Sequence, residues 1–179
     1  MDCKKALQET AGDVEKAVDL LRQKGIAKAS QRAGRTASEG QIGSYVHFNG
    51  KVGVLVEVNC ETDFVARTED FQNLTKDLAL HIASANPIGV SQDDVPRDLV
   101  ARERAIIDAQ VAESGKPEAV RGKIVDGKLK KFFQERVLLE QAFVKDDKKS
   151  VGDLVKEVSA KVGENVVVRR FVRFELGEA

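Results

Sequence analysis

Two cysteines and two histidines are the side chains of this sequence that could supply a nucleophile, a general base or zinc ligands. A cysteine nucleophile needs a histidine to orient it, and Cys60 with His47 is the pair to consider because both fall on strands predicted to pair. The expected register sets His47 beside Val52, which leaves Cys60 several residues farther along the sheet. His81 is interpreted as a surface or satisfied interior residue. We therefore consider a Cys60-dependent enzyme the least favoured functional hypothesis for this chain.

Metal and nucleotide sites are not indicated by the remaining motifs. The cysteines and histidines lack the paired spacings of zinc ligands. The segment Ser114–Pro117 (SGKP) lacks the upstream glycine of a Walker A loop and has proline where that loop has Ser or Thr. Cys3 and Cys60 are too few for a disulfide framework and are interpreted as reduced thiols. We expect a protein that is not an enzyme and needs no cofactor or metal.

The charges of the chain balance, with Lys+Arg 29 against Asp+Glu 29 and a formal net charge of zero. A protein that neutralises many phosphates would show a basic excess, so we expect no direct contact with nucleic acid. No apolar run approaches membrane-spanning length, and no leader of charged then apolar residues precedes the first predicted helix. These observations predict a cytoplasmic protein that does not bind membranes.

A loop phenylalanine follows the clearest strand of the sequence. In VGVLVEVNCETDFVAR, residues 52–67, valine recurs at every second position from Val52 to Val58, which predicts a half-buried strand that ends near Cys60. The loop beyond it sets Phe64 beside Asp63. A lone phenylalanine usually folds back into the core. Alternatively, the ring is an aromatic anchor for a pocket on another protein.

A hairpin is predicted around Asn49-Gly50, which lies between the strand patterns of residues 42–48 and 51–60. This dipeptide favours a two-residue type I′ turn. The resulting register places Tyr45 opposite Val54 and leaves apolar side chains on both faces of the ribbon. Something must therefore cover each face.

The last strand is predicted over residues 164–176, with Arg170 as the exception on an otherwise apolar face. That face is expected to carry Val166, Val168, Val172, Phe174 and Leu176. Joined to the hairpin, this strand gives a three-stranded antiparallel sheet.

Helices are predicted between the hairpin and the last strand. Thr68 introduces one whose apolar stripe comprises Phe71, Leu74, Leu78 and Ile82, and Ser150 introduces another that ends at Gly163. A helix from Arg97 to Glu113 is expected to turn Leu99, Ile106 and Val111 inward. In the stretch that follows, Gly122 and Gly127 argue against one unbroken helix. The fold class is α+β, a three-stranded sheet packed with helices.

The N-terminal segment predicts two short helices, the second of which Gly25 is placed to end. We divide the chain into a helical module (residues 1–25), a linker (26–39) and a core α+β domain (40–179). Lys24, Lys28 and Arg32 are spaced by four near the linker. They are interpreted as a solvated helical face, and an RNA-binding stripe is the alternative.

Motifs along nearly the whole chain resemble those of the elongation factor Ts family. They are NCETDFVAR, the HIA segment at residues 81–83, the SGKP break, GKLKKFFQE, LLEQAFVKDD and the terminal VGENVVVRRFVRFELGE. The first 25 residues resemble the second and third helices of the ubiquitin-associated-like module that opens such proteins, whose first helix has no counterpart here. The resemblance is to the short form, without the coiled-coil insertion.

The resemblance implies a guanine-nucleotide exchange factor for elongation factor Tu, with a set of partner-binding residues. Asp63 and Phe64 match a wedge that enters a pocket of the partner's G domain and disturbs its Mg²⁺ site, and Val162 and Gly163 match an element near the phosphate-binding loop. The remaining expected contacts are Thr62, Val65, His47 and Met1.

Short members of the family pair as homodimers, so the resemblance also implies a homodimer. Val172 stands where short thermophilic members have a cysteine that bridges the dimer, so noncovalent pairing is expected. The second functional hypothesis is an RNA-associated or ribosome-associated binding module that uses Lys24, Lys28, Arg32 and the terminal arginines.

Overall fold

The computed structural model describes residues 2–115 and 117–178 of the chain. Its helices and strands follow one another in short runs along the sequence, and two further short turns are 3-10 helices. In chain order the elements are α1 (Asp2–Glu9), α2 (Val14–Arg32), β1 (Glu39–Val46), β2 (Val52–Cys60), α3 (Asp63–Ala66), α4 (Glu69–Ala85), α5 (Arg97–Glu113), α6 (Glu118–Arg136), β3 (Ala142–Phe143), β4 (Asp146–Ser150), α7 (Val151–Val162) and β5 (Val167–Glu175).

The three long strands form one antiparallel sheet in the order β1-β2-β5. Alternate residues of β2 are buried, because helices cover one face of the central strand. The core on that face includes Val54, Val56, Val58, Phe71, Leu78, Ile82, Val151 and Val155. A sheet with its helices on one face confirms the predicted α+β class.

The other face of the sheet carries apolar side chains that remain exposed among the residues that the structure describes. Ile42 is 66% exposed, Leu55 48% and Val172 40%. The expectation that both faces of the hairpin carry apolar residues is therefore confirmed. We refer to these three residues as the open sheet face.

A β-bulge at Arg169 divides the last strand. Val168 and Arg170 pair with consecutive residues of β2, so Arg169 has no partner of its own. The extra residue reverses the side to which later side chains point. Val168 is buried in the core, whereas Val172 and Phe174 are exposed. The prediction that the apolar residues of this strand share one face was wrong, because counting every second residue assumes an unbroken ladder.

The hairpin has the predicted register but a different turn. Tyr45 pairs with Val54, and the His47 N–H donates to the Val52 carbonyl at 2.8 Å. The Gly50 N–H donates to the His47 carbonyl at 2.7 Å, so Gly50 closes the turn. Of the two residues predicted to be central, Asn49 and Gly50, only Gly50 has a positive φ, at 70°. The type I′ prediction was wrong, since that turn needs positive φ at both positions.

Helix α2 runs through Gly25 to Arg32, so the prediction that the helix ends at Gly25 was wrong. A Cβ atom at Gly25 would lie 3.3 Å from the Cβ of Ala160 on α7. The glycine therefore lets two helices pack closely instead of ending one of them. The helix enters the segment expected to be a linker, and the division at residues 25 and 39 remains a prediction.

The other helices follow the sequence in part. Thr68 and Ser150 cap α4 and α7 as predicted. Helix α6 is unbroken through Gly122 and Gly127, so neither glycine interrupts it, and a Cβ at either position would meet no atom within 4 Å. Ile107, rather than the predicted Ile106, is buried with Val111 between α5 and α6.

Candidate functional site

The Phe64 ring lies outside the core, on the turn that follows the central strand. Its side chain is 78% exposed, whereas that of the next residue, Val65, is only 8% exposed. Both belong to α3, a single helical turn in which neighbouring side chains point about 100° apart. Val65 takes the inward position and packs on the core. The interpretation of Phe64 as a residue folded back into the core was therefore wrong.

Polar contacts hold the turn that carries the ring. The Thr62 hydroxyl caps α3 by accepting the Val65 N–H at 3.4 Å. The Arg67 guanidinium lies 2.8 Å from an Asp63 carboxylate oxygen, four residues back along the chain. The turn thus presents a carboxylate and an aromatic ring together at the surface.

Glu164, immediately after the end of α7, joins this turn to the last strand. One of its carboxylate oxygens accepts the Thr62 hydroxyl at 2.7 Å, and the other accepts the Glu61 and Thr62 N–H groups, each at 3.0 Å. In return, the Glu61 carboxylate accepts the Asn165 N–H at 2.7 Å. These bonds cross-brace the segments that precede α3 and follow α7.

Of the predicted pair at the end of α7, only Gly163 is a surface residue. It ends the helix in the left-handed conformation, with φ of 78°. Val162 is partly buried and packs against the core. Through the neighbouring Glu164, the structure brings Gly163 to the same edge of the molecule as Thr62 and Phe64.

His47 lies at the opposite end of the hairpin from Phe64. The residue paired with it, Val52, starts β2, and the eight strand steps to Cys60 span roughly 27 Å. The His47 Nδ1 lies 2.9 Å from the Tyr45 hydroxyl oxygen. Its imidazole ring is tilted against the ring of Phe48, with the ring centres 4.4 Å apart, and Phe48 is 92% exposed. His47 therefore lies apart from the edge of the molecule that Thr62, Phe64 and Gly163 share. Met1 lies outside the described residues.

Cys60 lacks the surroundings of a nucleophile. Its thiol is buried and donates to the Thr62 carbonyl at 3.1 Å. Burial, reinforced by the Glu164 charge, raises the pKa of Cys60 to about 11. A reactive cysteine needs a lowered pKa, so this geometry argues against a Cys60-dependent enzyme. Within residues 2–115 and 117–178, no group of three potential metal ligands comes together.

Several basic residues proposed for the RNA alternative are engaged within the chain. Lys24 pairs with Glu9 at 2.7 Å, and Arg32 donates to the Ser159 carbonyl at 3.4 Å. Arg170 pairs with Glu57 at 2.7 Å on the sheet. The Lys28 side chain lies outside the described part of the structure. These contacts weaken the case for a continuous phosphate-binding stripe.

Comparisons with known proteins decide the family. The model of the family described as Elongation factor TS matches residues 4–178. The chain belongs to the elongation factor Ts family. It is 56% identical over 177 residues to elongation factor Ts of Syntrophobacter fumaroxidans, covering 99% of this chain and 88% of that protein. It is 57% identical to that of Syntrophomonas wolfei over 99% of this chain and 83% of the relative, and 54% identical to that of a Thermoanaerobacter species over 99% and 87%.

Membership in the elongation factor Ts family assigns the chain a role in translation elongation. The family consists of exchange factors rather than enzymes, which confirms the prediction of a non-enzymatic protein. Among the helices that the structure describes, none has the length and apolar character to cross a bilayer.

Sequence reasoning missed the cross-brace around Glu164. Its other members are Glu61, Asn165 and Arg35: the Asn165 amide donates to the Arg35 carbonyl at 2.8 Å, and the Arg35 guanidinium lies 3.6 Å from Glu61. Nothing in the sequence marks these residues, because Asn165 lies 104 positions from Glu61 and 130 from Arg35, and all of them have ordinary polar side chains.

Proposed function

We propose that this protein is a guanine-nucleotide exchange factor that binds elongation factor Tu in its GDP form and promotes release of the nucleotide. The observation that carries the proposal is the 78% exposure of Phe64, on a braced turn that also carries Asp63. A large aromatic ring held in water is costly to a monomer and valuable at an interface, where such anchors dominate binding energy.

One ring is energetically sufficient for a useful effect. Full burial of a phenylalanine side chain contributes about 1.5–3 kcal/mol. Each tenfold weakening of GDP binding needs about 1.4 kcal/mol of coupling between the two ligands of elongation factor Tu. If the ring is fully buried only in the nucleotide-free complex, it accounts for roughly tenfold to a hundredfold weakening, and linkage requires GDP to weaken the factor's binding equally.

The proposed contacts follow the family resemblance. Phe64 enters a pocket of the G domain and disturbs its Mg²⁺ site, and the Val162–Gly163 end of α7 approaches the phosphate-binding loop. The bonds from Glu164 to Thr62 support a shared surface for the two elements. His47 is proposed as part of a separate contact at the far end of the hairpin, beside the exposed Phe48.

We further propose that the open sheet face pairs with a second copy of this chain. Ile42, Leu55 and Val172 form its apolar centre, and the Glu57–Arg170 ion pair lies on the same face. In a twofold dimer the same patch meets itself, so the apolar centre of one copy would cover that of the other, and Glu57 and Arg170 already neutralise each other within each chain. With Val172 at this surface, the pairing is noncovalent.

The direct test is release of fluorescently labelled GDP from elongation factor Tu with and without this protein. Acceleration by catalytic amounts supports exchange. Filter binding to RNA across a salt series tests the alternative, since phosphate contacts give a steep loss of affinity with salt. Absence of acceleration together with salt-dependent RNA binding would replace the exchange proposal.

We expect a cytoplasmic location because the proposed partner acts in protein synthesis.

A further inference from the structure

We infer that Glu164 is a positioning residue for nucleotide exchange: its carboxylate fixes the turn that carries Phe64 against the end of α7. The inference rests on the proposed exchange function and adds a residue to it. Glu164 is not itself a partner contact in this account. It acts through Thr62, which it holds by two hydrogen bonds.

The hydrogen bonds at this position require a side chain with two accepting oxygens, which a carboxylate has. Glu164 accepts three bonds and donates none, as an ionised carboxylate must. The Thr62 hydroxyl gives its only proton to Glu164, which leaves a lone pair to accept the Val65 N–H. One side chain therefore both anchors the turn and orients the cap of α3.

The brace is anchored in the interior on its other side. Asn165, next in sequence, is only 5% exposed, and its amide donates to the Arg35 carbonyl at 2.8 Å. The backbone N–H of Asn165 donates to the Glu61 carboxylate at 2.7 Å. Glu164 thus ties the exposed turn to the buried segment that leads into the last strand.

Without this brace, α3 would be held to the core by the apolar contacts of Val65 and Ala66 and by the hydrogen bonds within the turn itself. A helix of one turn is unstable by itself, because nucleation is not repaid by further bonds. Val65 is the buried residue of the turn, and apolar contacts are not directional, so they fix the orientation of the turn less closely than the hydrogen bonds of Glu164 do. Loss of Glu164 would let Phe64 swing relative to Gly163, and a displacement of about 1 Å can cost an oriented site up to about a hundredfold.

The test compares Glu164→Ala and Glu164→Gln with Glu113→Ala, which removes the same charge from the end of α5. Each variant is measured for thermal unfolding, for amide hydrogen exchange of residues 61–67 and for GDP release from elongation factor Tu at saturating factor. We expect Glu164→Ala to exchange those amides faster and to lower the release rate about tenfold. Glu164→Gln should fall between, since its carbonyl oxygen can still accept at one position whereas its NH2 group cannot accept at the other. Glu113→Ala should match the wild type.

Combination with Phe64→Ala separates positioning from independent binding. If Glu164 acts through the ring, the double variant should release GDP no more slowly than Phe64→Ala alone, because the two losses are coupled. Additive losses, unchanged amide exchange or wild-type release by Glu164→Ala would overturn the inference. If Glu164→Ala does not fold, Glu164→Gln decides by the same criteria. Failure of the wild-type protein to accelerate release would instead overturn the exchange proposal, and the role of Glu164 with it.

Discussion

The Nε2 atom of His81 lies 3.0 Å from the Oε1 atom of Gln141 in the interior, where α4 meets the short hairpin of β3 and β4. The other ring nitrogen accepts the Val144 N–H at 3.2 Å, so Nε2 carries the proton and donates to Gln141. Gln141 in turn donates to the Glu135 and Ala85 carbonyls. A neutral imidazole therefore ties the hairpin to α4.

This arrangement predicts a loss of stability in mild acid. Burial lowers the pKa of His81 below its ordinary value of 6.5. The unfolded chain then binds a proton more readily than the folded one, so the free energy of unfolding should fall as pH drops below about 6.5. Urea unfolding between pH 8 and 5 measures this slope. His81→Gln, which cannot titrate, should flatten the dependence of unfolding free energy on pH, and an unchanged slope in that variant would contradict the assignment.

The Asp153 carboxylate does not contribute in this pH range. Its pKa is lowered by its bond to the Ser150 hydroxyl, so it titrates below 3.8.

Gly40 is predicted to be intolerant of any side chain. Its φ is 142°, and a Cβ there would lie 2.1 Å from the Val58 carbonyl oxygen on the paired strand. Gly40→Ala should therefore cost about 3 kcal/mol or more of unfolding free energy, from backbone strain and from overpacking. Gly122→Ala is the contrast, since the position is helical with open space around it and alanine should stabilise it by about 1 kcal/mol. Equal effects in chemical denaturation would refute the difference.

The two cysteines should differ sharply in reactivity. Cys3 is exposed and Cys60 is buried, with its pKa raised to about 11. Because the thiolate is the reacting species, an aromatic disulfide reagent should modify one thiol rapidly and the second only on unfolding. Cys3→Ser should abolish the fast phase. A fast phase that survives in Cys3→Ser would revive Cys60 as a nucleophile.

Pairing through the open sheet face is tested at Leu55, which lies in its centre and is 48% exposed. Leu55→Glu should shift the mass measured by light scattering from dimer to monomer, because two unpaired carboxylates would be buried together. Val144→Glu, also at an exposed apolar residue but on the turn between β3 and β4, is the control. A wild-type mass of one chain at every concentration would dismiss the dimer.

Local signals in the sequence predicted the elements whose cause is local. The cap at Ser150, the apolar stripe of α4 and the alternating valines of β2 are patterns over a few residues, and the structure has each of them. The bulge at Arg169 and the continuation of α2 through Gly25 depend instead on what a distant strand or helix requires. Such requirements leave no trace in neighbouring residues.

The candidate site divides in the same way. The exposed position of Phe64 follows from its placement beside Val65 on one helical turn, which the motif around it indicated through family resemblance. The brace from Glu164 was not predicted, because Glu61 and Glu164 reach each other's segments only in the folded chain. The separation of His47 from this cluster follows from the register that the sequence itself predicted.

The central claim concerns Phe64 and is tested by GDP release. Phe64→Ala removes an exposed ring, so the melting temperature should stay within about 2 °C of the wild type, as expected for a surface change. Ile106→Ala removes another exposed apolar side chain, on α5, and is the matched control. We predict that stimulated release of labelled GDP from elongation factor Tu falls at least tenfold in Phe64→Ala and is unchanged in Ile106→Ala. Wild-type release rates in a folded Phe64→Ala protein would contradict the account.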